Sequence, residues 1–366
     1  MEPVLSSRGP SAKKYLTLVS PDLPSLTYDE AKRLEDEDKI PRRAVTEEAL
    51  ATEIFDSTWF TQSRNRRKIA YRVLPVRIAQ VVEAFRIRKH YRVIISWSEF
   101  AAIMLALLFK FTRNRTPHVA LLYWMSPKKK ALMLRHVQTH IDKIITWSSV
   151  QMAFAIRELH VPAEKIVLVR HFVDVKFWRP MAGQRDMICS AGREMRDYPT
   201  LVEAMRGLPI RCHIATGDIR GYMEPTVKAI YAGGALPPNV TVEKLAPAAL
   251  RDLYARSRFA VVPLQQSDTD NGVNVILEAM AMGKAVICSR TIGQVDVIQE
   301  GITGIFVPAG DPAALRRAIE TLWNDPERAE RMGSAARGYV EELHSLDTFL
   351  GSVRRVVEGV ATSCNA

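Results

Sequence analysis

The sequence predicts an α/β protein built from two Rossmann-like, doubly wound domains that face a cleft. Three observations carry this. Short β-branched runs alternate with helical stretches from Tyr15 to Val360, the pattern of parallel βαβ units covered on both sheet faces. The rhythm pauses once, at Phe172–Met181 (FVDVKFWRPM), and then restarts. At 366 residues and 41.2 kDa the chain exceeds one ordinary core and suits two.

In order, Tyr15–Ser20 (YLTLVS) reads as a first strand closed by a proline. Residues 21–65 are charged and turn-rich and show no assignable period. Leu74–Lys89 carries apolar residues at Leu74, Ile78, Val81, Val82 and Phe85, the spacing of an amphipathic helix, with Pro75 suited to its first turn. A strand at 93–96, a helix from Glu99, a strand His118–Trp124, a basic helix from Lys128, a strand Ile141–Thr146, a helix through Leu159 and a strand Ile166–Val169 complete the first domain. The second begins with strand Met187–Ala191. It continues with a helix at Thr200–Arg206, strands Cys212–Thr216 and Asn239–Val242, a helix Pro247–Ser257 and strand Phe259–Pro263. Helix Val273–Met282 and strands Ala285–Ser289 and Gly304–Val307 follow, then helices at Pro312–Asn324, Pro326–Glu342 and Leu346–Val360. The division expected is therefore 1–180 (with 1–14 disordered), 181–345, and a C-terminal helix in 346–366 that packs back across the cleft.

The net charge of +11 is unevenly placed. Residues 61–180 hold 23 Lys/Arg against 6 Asp/Glu, whereas residues 181–366 hold 20 against 22. A field concentrated on one domain suits a polyanionic partner, here an anionic membrane surface or a lipid-phosphate acceptor, or else is a solvated face of no specific use. No zinc finger, RNA-recognition aromatic motif or basic zipper is present, so nucleic acid is not an expected partner. Cys189, Cys212, Cys288 and Cys364 are far apart with no CxxC pair, which argues against a disulfide framework and for a reducing, cytoplasmic setting. Met1 to Lys14 lacks an apolar stretch, so no secretory signal is expected. The longest apolar run, Phe100–Phe109, is about half the ~20 residues a membrane span requires and reads as a buried helix.

The chemistry concentrates in Asp270–Gly283 (DNGVNVILEAMAMG). Asn271-Gly272 permits unusual backbone angles at the entrance to a helix whose first residues, Val273, Asn274 and Val275, offer free amides and a positive dipole end, a ready site for a diphosphate. Glu278 is placed to accept from ribose hydroxyls and Asp270 from a sugar. From spacing alone the two carboxylates read equally well as ordinary surface groups.

This stretch resembles the donor signature of family 4 of the GT-B glycosyltransferases (glycosyl transferases group 1), a Glu-x7-Glu element followed by Ala-x-Ala-x-Gly-x-Pro-Val. Here it reads Asp270-x7-Glu278 and then AMAMGKAVICS. Ser190-Ala191-Gly192-Arg193 resembles the family's Gly-Arg motif, and Thr216-Gly217-Asp218, Gly301–Pro308 and Asp311–Ala318 continue the match over about residues 141–350. The resemblance implies a retaining, metal-independent glycosyltransferase that takes a sugar from a nucleoside diphosphate and needs no cofactor. It implies that Gly192 and Arg193 bind the diphosphate, that Arg196 stands where the family has a lysine, and that Arg193, Asp270 and Glu278 act on the donor. Two arginines facing a β-phosphate would neutralise charge on the leaving group. The acceptor expected is a glycan, lipid-linked or at the inner face of the cytoplasmic membrane.

Three departures stand out. Asp270 is one methylene shorter than the usual Glu. No His follows the strand at 119–122, where the chain reads Tyr123-Trp124-Met125-Ser126, and Arg170-His171 replaces an Asn-Gly. These changes also suit a catalytically silent subunit that binds a sugar nucleotide or a partner protein. Asp268-Thr269-Asp270 spells a metal-binding DxD but lies in a polar loop after its strand, and His136 and His140 read as part of a solvated helix face. His118, at the start of its strand, reads as an ordinary structural or exposed histidine.

Overall fold

The computed structural model describes residues 14–21, 26–62, 74–112, 116–216 and 225–363. It contains two six-stranded, wholly parallel sheets.

The first sheet has the order β2-β1-β3-β4-β5-β6, from β1 (Tyr15–Val19), β2 (Thr52–Phe55), β3 (Val93–Trp97), β4 (His118–Leu121), β5 (Lys143–Thr146) and β6 (Ile166–Leu168). Its helices are α1 (Tyr28–Asp36), α2 (Ala44–Ala49), α3 (Ser57–Gln62), α4 (Val76–Ile87), α5 (Glu99–Thr112), α6 (Lys128–Val137) and α7 (Ser149–Arg157). The apolar run at 100–109 lies in α5, where Ala101, Ala102, Ile103, Leu105, Ala106 and Phe109 are buried. No helix among the described residues is long and apolar enough to cross a membrane.

Two differences from the sequence reading matter. The stretch 21–65, which has no legible period, holds α1–α3 and the edge strand β2. That strand pairs with β1 in part through a buried hydroxyl contact, Thr17 Oγ1 to Thr52 Oγ1 at 2.8 Å. And β4 ends at Leu121 rather than Trp124, because side chains take over from the ladder. The Glu99 carboxylate accepts from the amides of Tyr123 (3.2 Å) and Trp124 (3.0 Å), and the Gln151 Oε1 from Met125 (2.7 Å) and Ser126 (3.2 Å). The loop so formed leaves the sheet and reaches the other domain.

The second sheet has the order β12-β11-β10-β7-β8-β9. Its strands are β7 (Met187–Ala191), β8 (Arg211–Ala215), β9 (Val240–Glu243), β10 (Ser257–Val262), β11 (Val286–Arg290) and β12 (Gly304–Pro308). Helices α8 (Tyr198–Met205), α9 (Pro225–Ala232), α10 (Pro247–Arg256), α11 (Val273–Ala281), α12 (Pro312–Asn324) and α13 (Pro326–Leu343) cover it. Counted within the domain this is the 3-2-1-4-5-6 order, which opens a crevice between the carboxyl ends of β7 and β10.

The crossover between domains is short and tied. Val173 N donates to His344 O (2.8 Å) and Leu346 N to Val173 O (3.0 Å), so the outgoing and returning chains pair. Val173, Phe177 and Trp178 are buried in the second core, which puts the change of core near 173, at the start of the pause in the sequence pattern and ahead of the expected boundary at 180/181. Arg42 clamps both crossings from the first domain, bonded to Asp174 at 2.9 Å and to Asp347 at 3.3 Å. The last helix, α14 (Leu346–Ser363), lies on the first sheet, with Leu346, Phe349, Leu350, Val353, Val357 and Val360 buried against Tyr15, Val93 and Ile145. Six such side chains at about 1.5–3 kcal/mol each make it an integral part of the first core.

Candidate functional site

The site forms at the switch point of the second sheet, where β7 ends in Ala191-Gly192 and β10 in Val262-Pro263. The turn after β7 is left-handed at Gly192 (φ 97°), and a Cβ there would stand 2.4 Å from the Arg196 guanidinium. Only glycine lets that guanidinium lie over the turn. Arg196 is 4% exposed and gives two of its donors to the backbone, Nε to Ala191 O (3.0 Å) and Nη1 to Glu194 O (2.8 Å). Its strand-like bridge to Leu264 draws the β7 and β10 loops together. Arg196 therefore reaches the site but is partly spent as a strut, while Arg193 is half-buried in the same turn.

Across the crevice Gly272 caps α11 in the left-handed region (φ 90°), and a Cβ built there would lie 3.6 Å from Arg196 Nη1. Val273 N is already taken by Asp270 O at 3.1 Å, so the first-turn amides left for a ligand are those of Asn274 and Val275. Asn271 is held by its Nδ2 on Ser267 Oγ at 2.8 Å. One further turn along, Glu278 is half-buried and accepts from the Tyr254 hydroxyl at 3.1 Å. Burial pushes its carboxyl up to about 7, against the pull of Tyr254 and the Arg196 charge. Asp270 is 5% exposed. Burial pushes it up to about 6, opposed by hydrogen bonds with Thr269 and the Trp147 indole. Neither carboxylate is an ordinary surface group.

The first domain closes over this crevice. Trp124 Nε1 donates to Asp268 Oδ1 (3.1 Å), Gln151 Nε2 to Asp268 O (2.7 Å) and Thr269 Oγ1 to Tyr123 O (3.1 Å). Ser149 N, at the start of α7, donates to Asp296 Oδ2 at 2.8 Å. Asp268 is thus occupied by an indole, and among the described residues no group of three or more His, Cys, Asp or Glu is arranged to hold a metal ion. His118 is fully buried and bonded to Ser96 (2.9 Å), which makes it the structural rather than the exposed histidine of the two sequence readings.

Four side chains that sequence reasoning did not assign to the site line it, two of them, Tyr123 and His171, having stood out only as departures from the family pattern. Tyr123 and Trp147 stack nearly parallel (5.8 Å, 9°), and Trp147 meets the His171 ring at 4.8 Å. His171 Nε2 contacts Asn274 Oδ1 at 2.6 Å, and burial holds the imidazole well below its usual range, at about 4, hence neutral. It replaces the expected Asn-Gly with a ring that touches the first turn of α11. Tyr254 is the fourth. The one signal available was position, since Trp147 directly follows the carboxyl end of β5, where such folds place ligand contacts.

The chain resembles known proteins in sequence over part of its length and in fold over nearly all of it. Residues 194–325, from the β7 turn through α12, match the family described as Glycosyl transferases group 1. D-inositol 3-phosphate glycosyltransferase of Gordonia bronchialis is 30% identical over 129 residues, covering 34% of this chain and 26% of that one. The glycosyltransferase EpsD of Bacillus subtilis, described as putative, is 30% identical over 124 residues, 31% of this chain and 32% of its own. The chain thus spans about a quarter to a third of these curated relatives. Among solved structures, sucrose-phosphate synthase of Thermosynechococcus elongatus superimposes with a TM-score of 0.74 at 16% identity, over 96% of this chain and all (100%) of that one. Anabaena HepE in complex with UDP and glucose gives 0.70 at 14% identity over 94% and 99%. The architecture is that of GT-B glycosyltransferases: two parallel six-stranded sheets with flanking helices.

Proposed function

We propose that the protein is a glycosyltransferase that moves a sugar from a nucleoside diphosphate to an acceptor hydroxyl with retention at the anomeric carbon, in the manner of family 4. The observation that carries the reading is the meeting, at one switch point, of the left-handed Gly192 turn that carries Arg193 and Arg196 with the left-handed Gly272 and the free amides of α11. In this reading the amides of Asn274 and Val275, with the helix dipole and the two arginines, hold the diphosphate and stabilise it as it leaves. Glu278 accepts from the ribose, and Asp270 orients the sugar beneath Trp147. The similarity of 194–325 to glycosyl transferases group 1 and the UDP and glucose bound to HepE support a nucleotide sugar as donor. The basic first domain supports a lipid-linked or membrane-surface glycan as acceptor, on a protein that works at the inner face of the cytoplasmic membrane. No metal or cofactor takes part, so a chelator leaves turnover unchanged.

A thermal-shift panel of UDP, GDP, ADP and their sugars tests the donor site. A ligand bound only to the native state at about 100 times its dissociation constant adds about 2.7 kcal/mol. Stabilisation by one nucleotide, lost in Arg193→Ala, with acceptor-dependent release of that nucleotide and retained anomeric configuration by NMR, establishes the reading. The burial of Asp270 under Trp147 favours one alternative, a silent subunit. Nucleotide binding with no turnover on any glycan acceptor is its signature.

A further inference from the structure

The outward face of α6 combines charge and apolar surface in a way the donor site does not use. Lys128, Lys129, Leu132, Met133, Arg135 and His136 are all exposed, Leu132 at 61% and Met133 at 40%. At about 100° per residue they share an arc of about 160°. Leu134 and Val137 on the opposite side are buried in the first core. The neighbouring helix contributes to the same end. Lys110 of α5 bonds to His136 O (2.8 Å), and the next residue, Phe111, is 78% exposed. Three exposed large apolar side chains beside four cations, Lys110, Lys128, Lys129 and Arg135, fit an interface that is both anionic and apolar. An acidic protein surface would supply the charge but not the oily depth for Leu132, Met133 and Phe111.

We infer that α6, with Phe111 at the end of α5, is a docking face for an anionic phospholipid bilayer, the lysines at the headgroups and Leu132 and Met133 in the acyl boundary. The inference deepens the acceptor part of the glycosyl-transfer reading and rests on it for its purpose, though not for the binding itself. The face is placed for that purpose. Lys130, on the same helix, bonds to Trp124 O (2.6 Å), and the Trp124 indole reaches Asp268 in the second domain. A bilayer held at α6 therefore lies one loop away from the mouth of the cleft, where a lipid-linked acceptor can enter without leaving the membrane.

The test is co-sedimentation of the full chain with vesicles of phosphatidylcholine containing phosphatidylglycerol, and with phosphatidylcholine alone. Binding is expected to the first only and to weaken with salt. Lys128→Ala/Lys129→Ala should weaken it about 30-fold, about fivefold for each lysine, the equivalent of about 1 kcal/mol apiece. Leu132→Gln/Met133→Gln should weaken it at least tenfold at low salt, which a purely electrostatic contact would not show. Absence of binding to the anionic vesicles, or binding indifferent to both double variants, overturns the inference. Nucleotide-induced thermal stabilisation of the same variants serves as the separate readout. Its retention shows that the donor site is intact whichever way the vesicles decide, and its absence in wild type would count against the donor reading alone.

Discussion

Replacing Glu278 by Gln should make the protein more stable and a poorer binder of its nucleotide, and the two effects have one cause. The carboxyl is raised from the ordinary 4.5 to about 7 because it is desolvated beside Tyr254. A raised carboxyl binds its proton more tightly folded than unfolded, so its contribution to stability is fully present below pH 4.5 and is lost as pH rises to about 7. That difference corresponds to about 3 kcal/mol at 1.36 kcal/mol per pKa unit, reduced to about 2 because Glu278 is partly exposed to screening water. Gln keeps an acceptor for Tyr254 and carries no charge to desolvate. At pH 8 the second domain of the variant should therefore melt higher than that of wild type by about 4–8 °C, at about 2–4 °C per kcal/mol for a unit of roughly 150–250 residues. At pH 4.5, where wild type is also neutral, the gap should nearly close. Hydrogen bonds to a charged acceptor exceed those to a neutral one by about 1 kcal/mol, so nucleotide affinity at pH 8 should fall about five- to tenfold. Calorimetric melting at the two pH values and titration calorimetry with the preferred nucleotide decide it. A variant less stable at pH 8, a gap that does not change with pH, or unchanged affinity would each refute the reasoning.

Other substitutions probe the frame around the site. Gly192→Ala combines a left-handed backbone with a Cβ 2.4 Å from the Arg196 guanidinium, and should cost about 1–3 kcal/mol in denaturant unfolding and weaken nucleotide binding as Arg196 is displaced. In Gly293→Ala the added Cβ would meet Thr269 O at 2.2 Å, which is backbone and cannot swing aside. The loop carrying Asp268–Asp270 must move, and turnover should fall more than overall stability does. Phe349→Ala in α14 should cost about 3–5 kcal/mol by chemical denaturation, since that side chain is 2% exposed and packs on Trp97 and Phe172. Loss of less than 1 kcal/mol would mean that α14 is not part of the first core.

The sequence by itself determined the layered architecture and the place of the donor helix. Both are written in local terms, as β-branched runs, helical spacing and an Asn-Gly before an apolar helix, and helix 312–324 falls where its Asp-Pro start and apolar spacing put it. It could not show β2, four residues (TEIF) with no alternation that become a strand only because β1 offers an open edge. Nor could it show that Asp270 is buried and Glu278 half-buried. Spacing says which residues share a helix, whereas burial is decided by what arrives from elsewhere, here Trp147 and Tyr254 from 123 and 24 residues away along the chain. Arg196 shows the same division. Its position could be counted from the sequence, but its use as a strut on Ala191 and Glu194 depends on the left-handed turn at Gly192. The closure of the cleft through Trp124, Gln151 and His171 is wholly tertiary, because hydrogen bonds between domains join residues that no local pattern relates.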